Sequence, residues 1–358
     1  MMALKPGDRI GALTSGGDSP GMNAALHATA RVAHALGLEL VGIEDGYQGL
    51  LEGRTAALDL RALAEASRRG GTILGTARSK HFVTEEGQAQ ARSVLQKLSL
   101  RALLVIGGNG SLTGALRLAD CVAVGGVPAS IDNDLALTSM AIGVDTAMNT
   151  IVEACDRISD TANAHRRAFI VEVMGRDCGY LAMTAGIACG ADAVLVRETA
   201  KDDAAIVDSV VQTIDAAFRD PRSNRRRVLV VKSEGVKLDS LELKRRVDAR
   251  IGHLRDVDTR VTVLGHVVRG GTPSAFDRLL AARLANSAVR ALAAGQSAFM
   301  AGWAGPGIER AACEYDPYVV LSPLDEVLRE TARLLDGATP IAQWRRRIFE
   351  EVEGILSR

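Results

Sequence analysis

No net charge remains when the 43 Lys and Arg residues are set against the 43 Asp and Glu of this 358-residue chain. No whole-molecule field therefore draws it to nucleic acid or to an anionic membrane, and any anion site must be local. Cysteine is sparse: Cys121, Cys155, Cys178, Cys189 and Cys313 form an odd set without a CxxC pair. That argues against a disulfide or zinc framework and suits a reducing cytosol, so the five read as small core residues. No run is both long and charge-free enough to span a bilayer, and the N-terminal MMALKPGDRI lacks the apolar stretch of a signal peptide. A cytoplasmic protein is expected. Also missing are a GxxxxGK[ST] P-loop and any repeat with a period of roughly 20 to 50 residues.

What is present is enough apolar sequence for a large body, 47% hydrophobic against 24% charged. From Arg9 to about Gly295, strand-length apolar runs alternate with helix-length segments, the pattern of an α/β protein with a mostly parallel sheet. Strands are expected at Ile10 to Thr14, Ala102 to Ile106, Ala168 to Met174, Val228 to Lys232 and Val261 to Val267. Several are apolar at nearly every position, as strands covered on both faces are. The stretch Lys201 to Arg227 reads as a surface region. Asp325 to Leu335, with the basic cluster Arg345 to Arg347 beyond it, reads as a solvated terminal helix. Ligands in such folds gather beyond the carboxyl ends of the strands.

Three loops there carry chemistry. Thr14-Ser15-Gly16-Gly17-Asp18-Ser19-Pro20-Gly21 joins a strand to a helix former, and its glycines let the backbone approach a phosphate; a tight turn is the bland alternative. Gly107-Gly108-Asn109-Gly110-Ser111 repeats the logic without the GxGxxG spacing of a dinucleotide site. In Ser130-Ile131-Asp132-Asn133-Asp134, two carboxylates stand two apart; an extended segment would put both on one side, one to take a proton and one to hold Mg2+. Later strand ends add Arg176, Glu234, Arg260, His266 and Arg269, forks and hydrogen-bonding groups suited to phosphate and sugar hydroxyls.

As a set, TSGGDSPGMNAA, RGGTILGTAR, IGGNGS, SIDND, VEVMGR and RVTVLGHVVRGG resemble the phosphofructokinase family, in the family's order and across most of the chain. The resemblance implies two doubly wound α/β domains with mostly parallel sheets and an active site in the cleft between them. The larger, ATP-binding domain would comprise 1–143 and about 256–312, the smaller sugar-phosphate domain 144–255, with 313–358 packing on the body as an extension. The implied reaction moves a phosphoryl group from ATP to the 1-hydroxyl of fructose 6-phosphate, with Mg2+, giving fructose 1,6-bisphosphate and ADP.

Carried over by position, Asp132 would be the general base beside Ser130, Asp134 would help place Mg2+, and Arg176 and Arg78 would stabilise the phosphoryl group in flight. The nucleotide would lie along Gly17, Tyr47, Arg78, Gly108, Gly110, Ser111 and Gly114. Met174, Gly175, Glu234, His266 and Arg269 would hold the sugar phosphate, joined by Arg167 and Arg260 from a neighbouring subunit of a homodimer or homotetramer. Asn109 stands where the family usually has a Mg2+-associated Asp, which leaves a catalytically weak regulatory homologue as one alternative. A pyrophosphate-dependent enzyme is the other, but that branch usually carries Asp at Gly110 and Lys at Ala129.

Overall fold

The computed structural model describes residues 2–219, 225–254, 257–305 and 310–356. The chain divides into two compact units, Met1–Thr146 with Arg269–Leu334, and Ala147–Val268 with Leu335–Arg358. The first contains β1 (Arg9–Ser15), α1 (Met22–Ala35), β2 (Glu39–Ile43), α2 (Gly46–Glu52), β3 (Thr55–Ala57), α3 (Leu60–Ala66), α4 (Glu85–Lys97), β4 (Leu100–Gly107), α5 (Asn109–Leu116) and β5 (Ala123–Pro128). Helix α6 (Val144–His165) carries the chain onward to β6 (Arg167–Val173), α7 (Tyr180–Ala188), β7 (Ala193–Leu195), α8 (Asp203–Phe218), β8 (Arg227–Ser233), α9 (Ser240–Ile251) and β9 (Asp258–Val263). The first unit is completed by α10 (Ala275–Ala293), β10 (Phe299–Trp303), β11 (Val319–Pro323) and α11 (Leu324–Leu335), and α12 (Pro340–Leu356) belongs to the second.

In the first unit a seven-stranded sheet runs β11-β10-β5-β4-β1-β2-β3, parallel except at its two edges, where β11 and β3 pair antiparallel. Its central strands are apolar on both faces because both are covered. Ile10, Ala12, Leu104 and Ile106 pack with Met22, Leu26, Leu280 and Leu284 of α1 and α10. Leu13, Leu103 and Val105 point the other way, to Leu50, Leu95, Leu112 and Val327. Each such fully buried Leu or Ile contributes about 1.5–3 kcal/mol. The second unit has a four-stranded, wholly parallel sheet, β7-β8-β6-β9. Ala168, Ile170, Val228 and Val230 meet Val207, Val210, Ile214, Leu243 and Val247 from α8 and α9.

Several expectations need correction. The strand expected to Val267 stops at Val263, and Gly265–Arg269 forms a 3-10 turn. The domain boundary expected near 256 lies outside the described residues, but β9, assigned in advance to the larger domain, pairs in parallel with β6 and so belongs to the second unit. Residues 313–358 are not one extension: β11 completes the large sheet, and α12 belongs with the other unit. Within Lys201 to Arg227, α8 buries Ile206, Val207, Val210 and Ile214, so its apolar face outweighs its charges; 220–224 lie outside the described residues. Likewise α11 buries Leu324, Val327, Thr331 and Leu334 rather than lying solvated. Cys155 and Cys178 are buried, and Cys121, Cys189 and Cys313 half-buried, and none of the five is in a disulfide. Among the described residues no helix is long and apolar enough to cross a membrane.

One buried carboxylate anchors the start of α6. Asp277 of α10 is fully buried and accepts hydrogen bonds from the backbone N–H of Gly143 and Thr146, each 2.8 Å, and from the Thr146 hydroxyl at 2.5 Å. Burial pushes its carboxyl above the usual range, and these donors pull it back. Asp277→Ala would leave the donors buried without an acceptor, so chemical denaturation should show a loss of about 3 kcal/mol. A loss below about 1 kcal/mol would mean that water replaces the carboxylate.

Candidate active site

The first glycine-rich loop leaves β1 at Ser15, with Gly16 in the left-handed region at φ 90°. A second segment, Arg69–Arg78, is stitched to it. Thr14 Oγ1 lies 2.8 Å from Thr72 Oγ1 and donates to Gly75 O, Thr76 Oγ1 donates to Gly16 O at 2.7 Å, and Asn23 accepts from Ile73 N at 2.8 Å. This polar lacing fixes the loop and leaves Arg78 exposed at the end of the segment. The Arg269 guanidinium lies over Gly17 and donates to Asp18 O at 3.1 Å. Arg269 therefore joins the first loop; its expected group, the sugar-phosphate ligands, gave no sign of that contact.

The second loop follows β4. Parallel pairing of β1 and β4 sets Ser15 opposite Gly107, so the two loops leave the sheet side by side. Gly108 caps α5 without a side chain; Ser111 N and Leu112 N both donate to Gly108 O at 3.0 Å, so the amides that the helix itself leaves without an acceptor are those before Ser111. The Ser111 hydroxyl, on a residue 3% exposed, is buried with no hydrogen-bond partner among the described residues. A free hydroxyl beside free amides at a helix start is a place for an anion. Asn109 opens the helix half-buried, and Gly110 is exposed.

Tyr47, expected along the nucleotide, is 5% exposed, stacks on Phe82 at 4.1 Å and donates its hydroxyl to Ser111 O at 2.6 Å. Burial pushes its phenol far above the usual tyrosine range, so it stays neutral. Its part is to brace α5 from beneath, against Gly114, where any Cβ would stand 2.5 Å from the ring.

Asp132 and Asp134 do not lie in an extended segment. Asn133 between them turns the chain at φ 48°, is 1% exposed, donates to Ser139 O at 3.1 Å and accepts from Ala141 N at 3.0 Å. The carboxylates are thus presented by a turn whose central amide is tied into the protein. Both are half-buried, and Ser130 Oγ donates to Asp134 Oδ1 at 2.8 Å. Among the described residues no three His, Cys, Asp or Glu side chains cluster as a metal cage. A Mg2+ held by one or two carboxylates and by substrate phosphates fits such a donor set, because that ion keeps several waters.

In the second unit, the turns after β6 and β8 meet. Glu234 N donates to Val173 O at 2.8 Å and Ser233 Oγ to Gly175 O at 2.5 Å, bringing Met174, Gly175 and Glu234 together. Arg176 is exposed and makes no side-chain ion pair among the described residues. Arg167 and Arg260 share Asp258, at 3.6 and 2.5 Å, beside the edge strand β9. His266 is exposed in the 3-10 turn. Motif reading missed Thr14, Thr72, Asn23 and Asn133, short polar side chains whose only signal was their place beside glycines.

Two open α/β sheets whose carboxyl-end turns offer free amides, forks of arginine and paired carboxylates define a doubly wound α/β protein built to handle anionic ligands. The phosphofructokinase family model matches residues 9–292, and the chain belongs to that family. It is 46% identical over 295 residues, 82% of this chain and 89% of the relative, to the ATP-dependent 6-phosphofructokinase of Natranaerobius thermophilus. To ATP-dependent 6-phosphofructokinase 1 of Thermus thermophilus it is 45% identical over 322 residues, 89% and 94% of the two chains. Among solved structures, Pichia pastoris phosphofructokinase in the T-state matches at TM-score 0.84 and 32% identity over 98% of this chain; the chain spans 40% of that longer one.

Because the Tyr47 ring leaves no room at Gly114, Gly114→Ala should cost about 1–3 kcal/mol and tilt α5. Thermal unfolding followed by circular dichroism would check it; an unshifted midpoint would show that the ring moves aside freely.

Proposed function

We propose that this protein is an ATP-dependent 6-phosphofructokinase of the cytoplasm, which transfers the γ-phosphoryl group of ATP to the 1-hydroxyl of fructose 6-phosphate and yields fructose 1,6-bisphosphate and ADP. The observation that carries the reading is the buried, unpartnered Ser111 hydroxyl beside the uncapped start of α5 and the first glycine loop. Those groups would cradle phosphate oxygens through Gly17, Gly108, Gly110 and Ser111, and preorganised donors of this kind are what phosphoryl transfer mostly needs. Nothing lies within 4 Å of where a side chain would begin at Gly110, which keeps space there for the nucleotide beyond its phosphates, and Ala129 brings no charge to the site. This favours ATP over pyrophosphate as donor.

Asp132 takes the proton of the sugar 1-hydroxyl, and Arg78 and Arg176 stabilise charge on the phosphoryl group. Met174, Gly175, Glu234, His266 and Arg269 hold fructose 6-phosphate; Arg269 has N–H groups left after its bond to Asp18 O. Arg167 and Arg260, gathered at the sheet edge by Asp258, serve the sugar site of a neighbouring copy in a homo-oligomer. Asp134, with Asn109, would hold Mg2+, which when bound offsets the charge of the phosphates.

Asp132→Asn should lower kcat by roughly a hundredfold with little change in fructose 6-phosphate affinity, read by steady-state kinetics and equilibrium binding. A near-normal kcat would remove Asp132 from the role. An amide at Asn109 offers only a carbonyl oxygen where a carboxylate would bring charge. Asn109→Asp should therefore lower the Mg2+ concentration for half-maximal rate at fixed ATP, and an unchanged midpoint would place residue 109 away from the metal.

A further inference from the structure

We infer that Lys232, Glu172 and Ser240 form a positioning set for the sugar-phosphate site. The inference rests on the reading of Met174 and Glu234 as ligands of that sugar. On the face of the second sheet covered by α8 and α9, side chains run apolar along β6, as Ala168 and Ile170, and along β8, as Val228 and Val230. At the next position on each strand the pattern breaks. Glu172 and Lys232, paired in register, replace two more apolar residues. Lys232 is 1% exposed, and its Nζ lies 2.9 Å from Glu172 Oε2, which also accepts from Ser240 Oγ at 2.5 Å in the first turn of α9.

Stability does not explain this choice, because well-packed apolar residues commonly serve as well as a buried ion pair or better. What the pair adds is direction. An apolar contact tolerates sliding, whereas two strands and a helix start that converge on one carboxylate oxygen are held in one geometry. Immediately beyond lie the turns that carry the proposed ligands. Met174 and Glu234 each come directly after the last residue of β6 and β8, two positions beyond Glu172 and Lys232. The backbone there is already close: Glu234 N bonds to Val173 O, Leu264 N to Glu172 O at 2.9 Å, and a Cβ on Gly235 would stand 2.3 Å from Arg176 O. A small slip of β8 against β6 would therefore move Glu234, Met174 and the backbone of Arg176 together.

The test compares wild type with Lys232→Met, Glu172→Leu and the double variant. Each single change leaves a charge without its partner, fully buried at Lys232 and partly buried at Glu172, and should lower the unfolding midpoint, while the double should recover most of that loss. Recovered stability should not restore the geometry: in the substrate-free double variant the Glu234 amide should exchange with solvent at least about tenfold faster, with the Val230 amide unchanged. KM for fructose 6-phosphate should rise at least about fivefold while KM for ATP stays put. Glu172→Gln, which keeps shape but drops the charge, is the milder probe and should move the same readouts in the same direction. Wild-type exchange at Glu234 in both the double variant and Glu172→Gln would overturn the inference, whatever the kinetics. Absence of fructose 6-phosphate turnover in wild type would instead overturn the functional reading and leave the exchange result to decide the positioning role.

Discussion

The parallel ladder between β1 and β4 is the constraint on which the rest of the site depends. Its register ends with Ser15 opposite Gly107, so two glycine-rich turns that are far apart in sequence leave the sheet at one level. Neither turn would make an anion cradle alone. The first supplies close backbone but only the uncapped start of α1, whereas the second supplies the Ser111 hydroxyl and the free amides of α5. Apolar packing on both faces holds the ladder, and Tyr47 transmits that rigidity upward through its bond to Ser111 O.

Around this cradle the protein uses short polar side chains to freeze loops that burial alone would leave loose. Thr14 with Gly75 O, Asn23 with Ile73 N, Asn133 with Ser139 and Ala141, and Asp277 with the start of α6 share one logic. Each satisfies backbone groups that no regular ladder reaches, and each fixes a loop or a helix start. Lys232 and Glu172 extend the logic to the second unit with charges in place of amides and hydroxyls. A buried charge tolerates far less error in its partner's position than a methyl group does.

Most of the architecture was legible in the sequence because strands covered on both faces are apolar at nearly every position, and Ile10 to Thr14 and Ala102 to Ile106 stand out for that reason. The turns after them were legible because glycine and aspartate cluster where ligands gather. What sequence concealed depends on tertiary contact. Tyr47 looks the same in sequence whether exposed or buried, and its stacking on Phe82 is a contact that no motif shows. Two carboxylates spaced by one residue suggest an extended strand until Asn133 is found at φ 48°. The end of β9 was misplaced because Val267 and Val268 continue an apolar run, although Gly265, at φ 50°, breaks the strand before them. The tail misled for the opposite reason: the apolar stripe of α11 is narrow, and its charges dominate the composition.

The central claim is that the cradle between the two glycine turns accepts ATP for transfer to fructose 6-phosphate. Its most direct measurement is the initial rate of fructose 1,6-bisphosphate formation by the purified protein with Mg2+ and fructose 6-phosphate, given ATP in one series and pyrophosphate in the other. The account predicts turnover with ATP and a rate with pyrophosphate lower by at least about a hundredfold. Equal rates, or turnover with pyrophosphate alone, would contradict it.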